Sequence, residues 1–231
     1  MRADVVTIFP ALLGPFLNLG NVGRARRAGR LEVEIHDLRS FSDDPHGKVD
    51  DAPYGGGPGM LMTPGPFFAA VEAIRAQGLG RVILLGPQGI RLDHGLALDL
   101  ASEERLILLC GRYEGVDERV RQHLCDLELS VGDYILSGGE VAAMVVIDVL
   151  ARLLPGVVGD AQSIARDSFA TGMLSWPQYT RPAEFRGWKV PEVLTSGDHG
   201  AIQRWRELQA RENTKTRRPD LWVGARGDRG E

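Results

Sequence analysis

The chain has 231 residues, 43% hydrophobic and 25% charged, with net charge −4; this excludes a disordered, collagen-like or coiled-coil protein and argues against a uniformly basic nucleic-acid binder. No apolar run reaches the ~20 residues a bilayer span needs, and Met1-Arg2-Ala3-Asp4 leads into a strand-like run rather than a signal-peptide core, so a cytoplasmic protein without a membrane partner is expected. Cys110 and Cys125 form no CxxC pair, which disfavours a disulfide scaffold or a cysteine-based zinc site.

In chain order, Val5 to Phe9 reads as a buried strand ended by Pro10. Leu12 to Leu19 and Val22 to Ala28 read as helices, with Gly20 and Gly29 as stops. Leu31 to Asp37 alternates as a second strand, and Leu38 to Pro66 has no periodicity. Pro66 opens a helix that runs to about Gln77. A strand–loop–helix rhythm follows. The strands are Arg81 to Leu85, Arg105 to Cys110 and Leu127 to Val131, and the helices are Asp93 to Ala101, Asp117 to Leu124 and Glu140 to Leu154. Such alternation predicts an α/β domain with a mainly parallel sheet. Pro155-Gly156 starts a small, polar linker that reaches about residue 168. Beyond it Ala183 to Phe185 is weakly helical and Ala201 to Arg211 strongly so, and residues 223–231 read as a frayed tail.

The 29 glycines exceed the ~16 expected at average usage, and their positions are informative. Three successive strands end in glycine-bearing segments at 86–89, 111–115 and 132–139. Ligands of open α/β sheets bind beyond the carboxyl ends of strands, and glycine lets backbone groups approach them closely. There is no G-x-G-x-x-G after the first strand, no P-loop, no H-E-x-x-H and no G-x-S-x-G. Arg91 and Arg112 are the nearby cations. A neutral or zwitterionic ligand with an adenine-like face suits these loops better than a triphosphate. The segment Asp50 to Met60 is dense in glycine and proline and reads either as a functional loop or as a disordered one. Between Arg181 and Arg218 nine basic residues face five acidic ones, a net +4. That window fits a polyanion footprint, and it also fits a solvated helix face of mixed charge.

Tyr54-Gly55-Gly56-Gly57-Pro58-Gly59-Met60, Cys110-Gly111-Arg112-Tyr113-Glu114-Gly115 and Gly132-Asp133-Tyr134-Ile135-Leu136-Ser137-Gly138-Gly139-Glu140 closely resemble signatures of the bacterial tRNA (guanine-N1-)-methyltransferase family, TrmD. Asp167-Ser168-Phe169, Tyr179-Thr180-Arg181-Pro182 and Arg217-Arg218-Pro219 resemble its later motifs, so the likeness spans roughly residues 1–222. The resemblance implies a SPOUT-type α/β domain (residues 1–154) with a deep trefoil knot, a linker (155–168) and a small, mostly helical tRNA-binding domain (169–222). It implies a homodimer with sites at the interface. It also implies methyl transfer from S-adenosylmethionine to N1 of the guanosine immediately 3′ of the anticodon in tRNA. By the same resemblance the donor site comprises Leu84, Leu85, Gly86, Pro87, Gln88, Gly111, Tyr113, Glu114, Gly115, Ser130, Val131, Gly132, Asp133, Tyr134, Ile135, Leu136, Gly138 and Gly139. Asp167 matches the family's general base and Arg152 an arginine acting on the target guanine. His46 and Asp50 lie in an RNA-side loop, and Arg217 and Arg218 fall in the basic window. Family members have been associated with Mg2+, for which no ligand cluster stands out in the sequence.

Gly86 stands where the family often has serine, and Ala142 where it often has proline. From residue type alone, Asp167 also reads as a helix N-cap and Arg152 as a side chain snorkelling from an apolar helix. A second function class, a non-catalytic RNA-binding or nucleotide-sensing α/β protein, would use the same loops. Asp167 and Arg152 beside an intact loop set favour the enzyme.

Overall fold

Successive side chains of the strands point to opposite faces of the sheet, and this sets the layers. In chain order the first elements are β1 (Arg2–Thr7), α1 (Gly20–Arg27), β2 (Glu32–Asp37), β3 (Asp50–Asp51), β4 (Leu61–Met62), α2 (Pro64–Arg75), β5 (Arg81–Arg91), α3 (His94–Ala101), β6 (Arg105–Cys110), α4 (Glu118–His123), β7 (Leu127–Ser130) and α5 (Gly139–Leu153). This computed structural model describes residues 1–159 and 166–222, and the chain divides into two units, Met1–Gly159 and Asp160–Glu231. β2-β1-β6-β5-β7 form a five-stranded sheet, and every neighbouring pair is parallel.

Ala3, Val5, Ile83, Leu106 and Leu108 point to one face, where they pack with α1, α3 and α5. Val6, Val82, Leu84, Ile107 and Leu109 point to the other, against α2 and α4. β6 is buried at every residue, as a central parallel strand covered on both faces must be. Each fully buried Leu, Ile or Val contributes about 1.5–3 kcal/mol. Crossovers of one hand place helices by the direction of the step. The steps toward β2 (β1 to β2, β5 to β6) carry α1 and α3, and the opposite steps carry α2 and α4.

Several expectations are corrected. Leu12 to Leu19 is not a helix but two 3-10 turns, Pro10–Leu12 and Phe16–Asn18, because Gly14-Pro15 interrupts it. Residues 86–89 are not a strand-to-helix turn. They form a bulge inside β5, which pairs with β7 at Leu85 and again at Ile90 and Arg91. The stretch from 155 is not wholly linker, since Val157 is buried in the core and its carbonyl accepts from Arg24 Nη1 at 3.1 Å. The linker residues 160–165 and the tail 223–231 lie outside the described residues.

One charged cluster is buried in the first unit. Asp4 accepts from Arg105 Nε at 2.7 Å, Arg2 Nη2 at 3.1 Å and His36 Nε2 at 2.9 Å. Burial pulls its carboxyl pKa up, but these hydrogen bonds outweigh that and hold it well below the ordinary carboxylate range.

In the second unit the described elements are β8 (Glu184–Phe185), β9 (Trp188–Lys189), a 3-10 turn at Glu192–Thr195 and α6 (His199–Arg217), which Asp198 caps through Ala201 N. Ala183 to Phe185 is therefore not helical. Phe185 pairs with Trp188 in an antiparallel hairpin. The α6 helix outruns the expected Ala201 to Arg211 at both ends.

Candidate functional site

A cavity of about 430 Å³ opens at the carboxyl ends of β5, β6 and β7. Three chain segments supply most of its lining, and they are the three glycine-bearing ones; α4 adds Glu118 and Arg121. Leu84, Leu85, Gly86, Pro87 and Gln88 come from the β5 bulge, and Gly111, Tyr113, Glu114 and Gly115 from the turn after β6. Ser130, Val131, Gly132, Tyr134, Ile135, Leu136, Gly138 and Gly139 come from β7 and the approach to α5. Asp133 alone of the expected donor residues is not among the lining residues.

The glycines are explained by what a Cβ would meet. At Gly139 it would lie 2.7 Å from Cys110 Cα, and at Gly138 it would overlap the Arg112 guanidinium. The backbones of the second and third segments touch there, with Gly139 N–H donating to the Gly111 carbonyl at 2.9 Å. Gly89 lies against the Glu128–Leu129 backbone in the same manner. Tyr113 is a non-glycine residue at φ 61, a conformation that costs of order 1–3 kcal/mol and that clusters at functional sites.

A buried strut fixes the segments from below. Glu140, at the first turn of α5, is 0% exposed. Its Oε1 accepts from Thr7 Oγ1 at 2.7 Å and its Oε2 from Arg112 Nε at 2.9 Å. The Arg112 guanidinium also lies 4.4 Å from the Phe9 ring centroid. One carboxylate thus ties the end of β1, the turn after β6 and the start of α5. The helix N-terminus further favours its charge.

The Asp50–Met60 stretch is tied to the same turn. Glu114 N donates to the Met60 carbonyl at 3.0 Å and Met62 N to the Gly115 carbonyl at 3.0 Å, while a Cβ on Gly59 would strike the Glu114 side chain. Gly55, Gly56, Gly57 and Gly59 all have positive φ, which accounts for the choice of glycine. Of the expected RNA-side residues, His46 is exposed in a turn organised by Asp44, and Asp50 pairs with Met62 in the β3–β4 ladder.

Arg152 does not line the cavity. It sits near the far end of α5, about 20 Å along the axis from Gly139. Asp167 belongs to the second unit and lies in a run of turns, not at a helix N-terminus. The following chain is pinned to α6: Leu174 N donates to Thr214 Oγ1 at 3.0 Å, and Asn213 Nδ2 donates to the Ser175 carbonyl at 3.1 Å. Arg217 is exposed, whereas Arg218 is ion-paired with Asp220 at 2.6 Å and lies 5.7 Å from the Phe169 ring centroid.

Sequence reasoning missed several cavity residues, among them Glu118, Arg121 and Glu128. Burial raises the Glu128 carboxyl pKa. A helix and a strand supply these residues through ordinary periodic positions, and no local motif marked them. Among the described residues one group, Asp4, Glu34 and His36, has metal-ligand spacing. Arg2 and Arg105 already bind its central carboxylate, and it adjoins Arg105 at the opposite end of β6 from the cavity. No helix among the described residues is long and apolar enough to cross a membrane.

Comparison with known proteins identifies the family of the chain. Residues 1–224 match the family described as tRNA (Guanine-1)-methyltransferase TrmD. A tRNA (guanine-N(1)-)-methyltransferase of Moorella thermoacetica is 54% identical over 96% of this chain and 90% of its own length. Relatives of the same name from Brevibacillus brevis and Frankia alni are 51% and 54% identical, each over 96% of this chain, and over 91% and 84% of their own lengths. With this identity over nearly its whole length, the chain belongs to the tRNA (guanine-1)-methyltransferase family, TrmD.

Proposed function

We propose that this protein transfers a methyl group from S-adenosylmethionine to N1 of a guanosine in tRNA, the one immediately 3′ of the anticodon. The observation that carries the reading is the convergence of three glycine segments on one cavity in a chain of this family. The cavity falls within the roughly 300–1,000 Å³ of small-molecule sites. Bare backbone at Gly111, Gly138 and Gly139 suits an adenosine-bearing ligand held by main-chain N–H and C=O groups. The donor supplies an electrophilic methyl on a sulfonium, already a good leaving group.

The protein must then align the acceptor and manage one proton. Alignment is worth up to ~7–11 kcal/mol in well-oriented systems. Guanine N1 carries a hydrogen at neutral pH and becomes nucleophilic as that proton leaves. Asp167 accepts it, and Arg152 stabilises the negative charge that grows on O6.

The two catalytic side chains meet the cavity through a homodimer in this reading. Arg152 is too far along α5 to serve the cavity at that helix's own start, so the partner subunit's donor loops face Arg152 and Asp167. Val141 and Val145, one turn apart on α5 and both exposed, together with exposed Ile135, offer an apolar face for such a dimer. The SPOUT-type trefoil knot is part of the same reading. The backbone crossing of Gly139 against Cys110 and Gly111 is the kind of close passage a threaded chain requires. Residues 1–154 serve the donor and residues 169–222 the tRNA. Mg2+ has no evident site beside the cavity among the described residues, and no step here uses it.

Mapping the methylated position in unmodified tRNA, after incubation with the protein and labelled donor, tests the function. N1-methylguanosine at that single position is expected. RNA binding without methyl transfer would favour the non-catalytic reading.

A further inference from the structure

The Glu184–Lys189 hairpin turns through Arg186 and Gly187, both at positive φ (53° and 83°). This is the two-residue turn geometry that matches strand twist and makes a tight, well-defined tip. Phe185 and Trp188 flank the turn as a cross-strand pair with centroids 6.4 Å apart. They stay 55% and 71% exposed. The Arg186 guanidinium lies 5.2 Å from the Phe185 ring centroid. Glu184 and Lys189, the next pair and so on the opposite face, approach to 3.9 Å. The turn and the ring pair stabilise the hairpin itself, but an arginine held at positive φ is costly and both rings remain more than half exposed.

Charge identifies the occupant. Between residues 179 and 189 three cations stand against one carboxylate, interleaved with exposed Tyr179, Phe185 and Trp188. Interfaces between protein copies share aromatic rings and arginine but are depleted in lysine and glutamate, and this hairpin carries both Lys189 and Glu184. Aromatic rings with interspersed cations are instead how proteins hold unpaired nucleotides, the base on a ring face and the phosphate on the cation. We propose that this hairpin stacks an unpaired base of the RNA substrate on Trp188 and Phe185, with Arg186 taking the adjoining phosphate. The inference rests on the tRNA-methylating reading above and adds a named contact for it.

The test measures RNA affinity by fluorescence anisotropy, with a labelled full tRNA and with its anticodon stem-loop, across a salt series. Trp188→Ala should weaken binding about 5- to 100-fold without changing the log–log salt slope, because stacking releases no counterions. Trp188→Phe should keep most of the affinity, which a merely structural role of indole size would not allow. Arg186→Ala should reduce the slope by about 0.7, one phosphate on single-stranded RNA. Donor binding by calorimetry should be unchanged in all three, which serves as the folding control. If Trp188→Ala binds RNA within twofold of wild type, the proposal is overturned. If it dissociates the dimer in sedimentation at the same concentrations, the hairpin is a contact between copies and the proposal is likewise overturned. Wild-type protein that fails to methylate tRNA would overturn the functional reading itself. Normal methylation with an indifferent Trp188→Ala overturns the hairpin alone.

Discussion

In the first unit Glu140 sits wholly buried beneath the cavity, bonded to Thr7 and Arg112. In the second, Trp188 and Phe185 stand exposed, and among the described residues Ala210 and Thr214 are the buried ones. One unit places its apolar residues in two cores on either side of a sheet and leaves backbone to line its site. The other keeps aromatic and cationic side chains on its surface and holds its loops by polar ties to α6. The contrast follows from the ligands proposed for each. A small rigid molecule rewards a cavity finished before it arrives. A long polyanion with unpaired bases rewards exposed rings and charges that tolerate adjustment. Breaking each unit should therefore produce separable defects.

The largest effect is expected where the two must cooperate. Asp167→Asn should lower the methylation rate by about 10²–10⁴ and leave donor affinity unchanged. Gly111→Val should spoil the donor side, since a Cβ there already lies 3.1 Å from Val116 Cγ2. Heterodimers of these two inactive variants should recover up to about half of wild-type activity if the site is shared between subunits. Inactive heterodimers, with wild type surviving the same refolding, would mean that each Asp167 serves its own subunit's cavity.

Gly139→Ala probes the cavity alone. Its Cβ would lie 2.7 Å from the Cys110 backbone, which cannot swing away as a side chain can. An overpacking strain of about 1–3 kcal/mol is expected, and a donor affinity lower by roughly tenfold or more by calorimetry. RNA affinity should hold. Unchanged donor binding would show that the close crossing does not shape the site.

Glu140→Gln acts one step further from the ligand. It keeps the shape but replaces a charge-assisted bond to Arg112, at a cost of about 1–3 kcal/mol in thermal stability. Donor affinity should fall with it, because the strut positions two of the three segments. Lost stability with full donor affinity would make Glu140 a fold residue only.

How much of this was legible in the sequence follows from where the physics is local. The glycine segments announced the cavity because a missing side chain at a strand end has a local cause. The strands β1, β2, β5, β6 and β7 were legible as short apolar runs bounded by turn residues, whereas β3 and β4, two residues each, fell in a stretch that read as aperiodic. The bulge at 86–89 was not, since the second β5–β7 pairing at Ile90 and Arg91 depends on a partner over 35 residues away. Glu140 followed a recognisable motif, yet its burial arises from Thr7, at the other end of the domain. The hairpin tip was misread because Arg-Gly is a weaker turn signal than Asn-Gly, and Ala183-Glu184-Phe185 has acceptable helix propensity. Glu128 and Arg121 lacked any local mark, since strand and helix register alone turns them toward the cavity.

Acid should separate the units by stability. Asp4 has a depressed folded pKa, so its contribution is complete above the unfolded value near 3.9 and fades as pH falls through that value toward the folded one. Unfolding of the first unit should therefore become easier below about pH 4. Asp4→Asn should lose stability at neutral pH and show a flatter acid dependence. A variant with the wild-type acid profile would move the sensitive group elsewhere.

The smallest effect concerns the basic window. Arg217 and Arg218 are adjacent but differ in their partners. Arg218 is bonded to Asp220 and lies beside Phe169, whereas Arg217 is exposed at the end of α6. A phosphate must compete with Asp220 for Arg218, so that residue releases less counterion on binding RNA. Arg217→Ala should flatten the salt slope of RNA binding by about 0.7, the share of one single-strand phosphate. Arg218→Ala should flatten it less and should instead disturb the Phe169 turn next to Asp167, appearing as a lower methylation rate at saturating RNA. The double variant should leave donor affinity at the wild-type value, because the cavity is built entirely within the first unit. Equal slope changes for the two single variants would show that the Asp220 pair opens freely on the RNA. A slope that neither variant moves would place the electrostatic footprint elsewhere, with Arg181 and the hairpin cations Arg186 and Lys189 as the next positions to test.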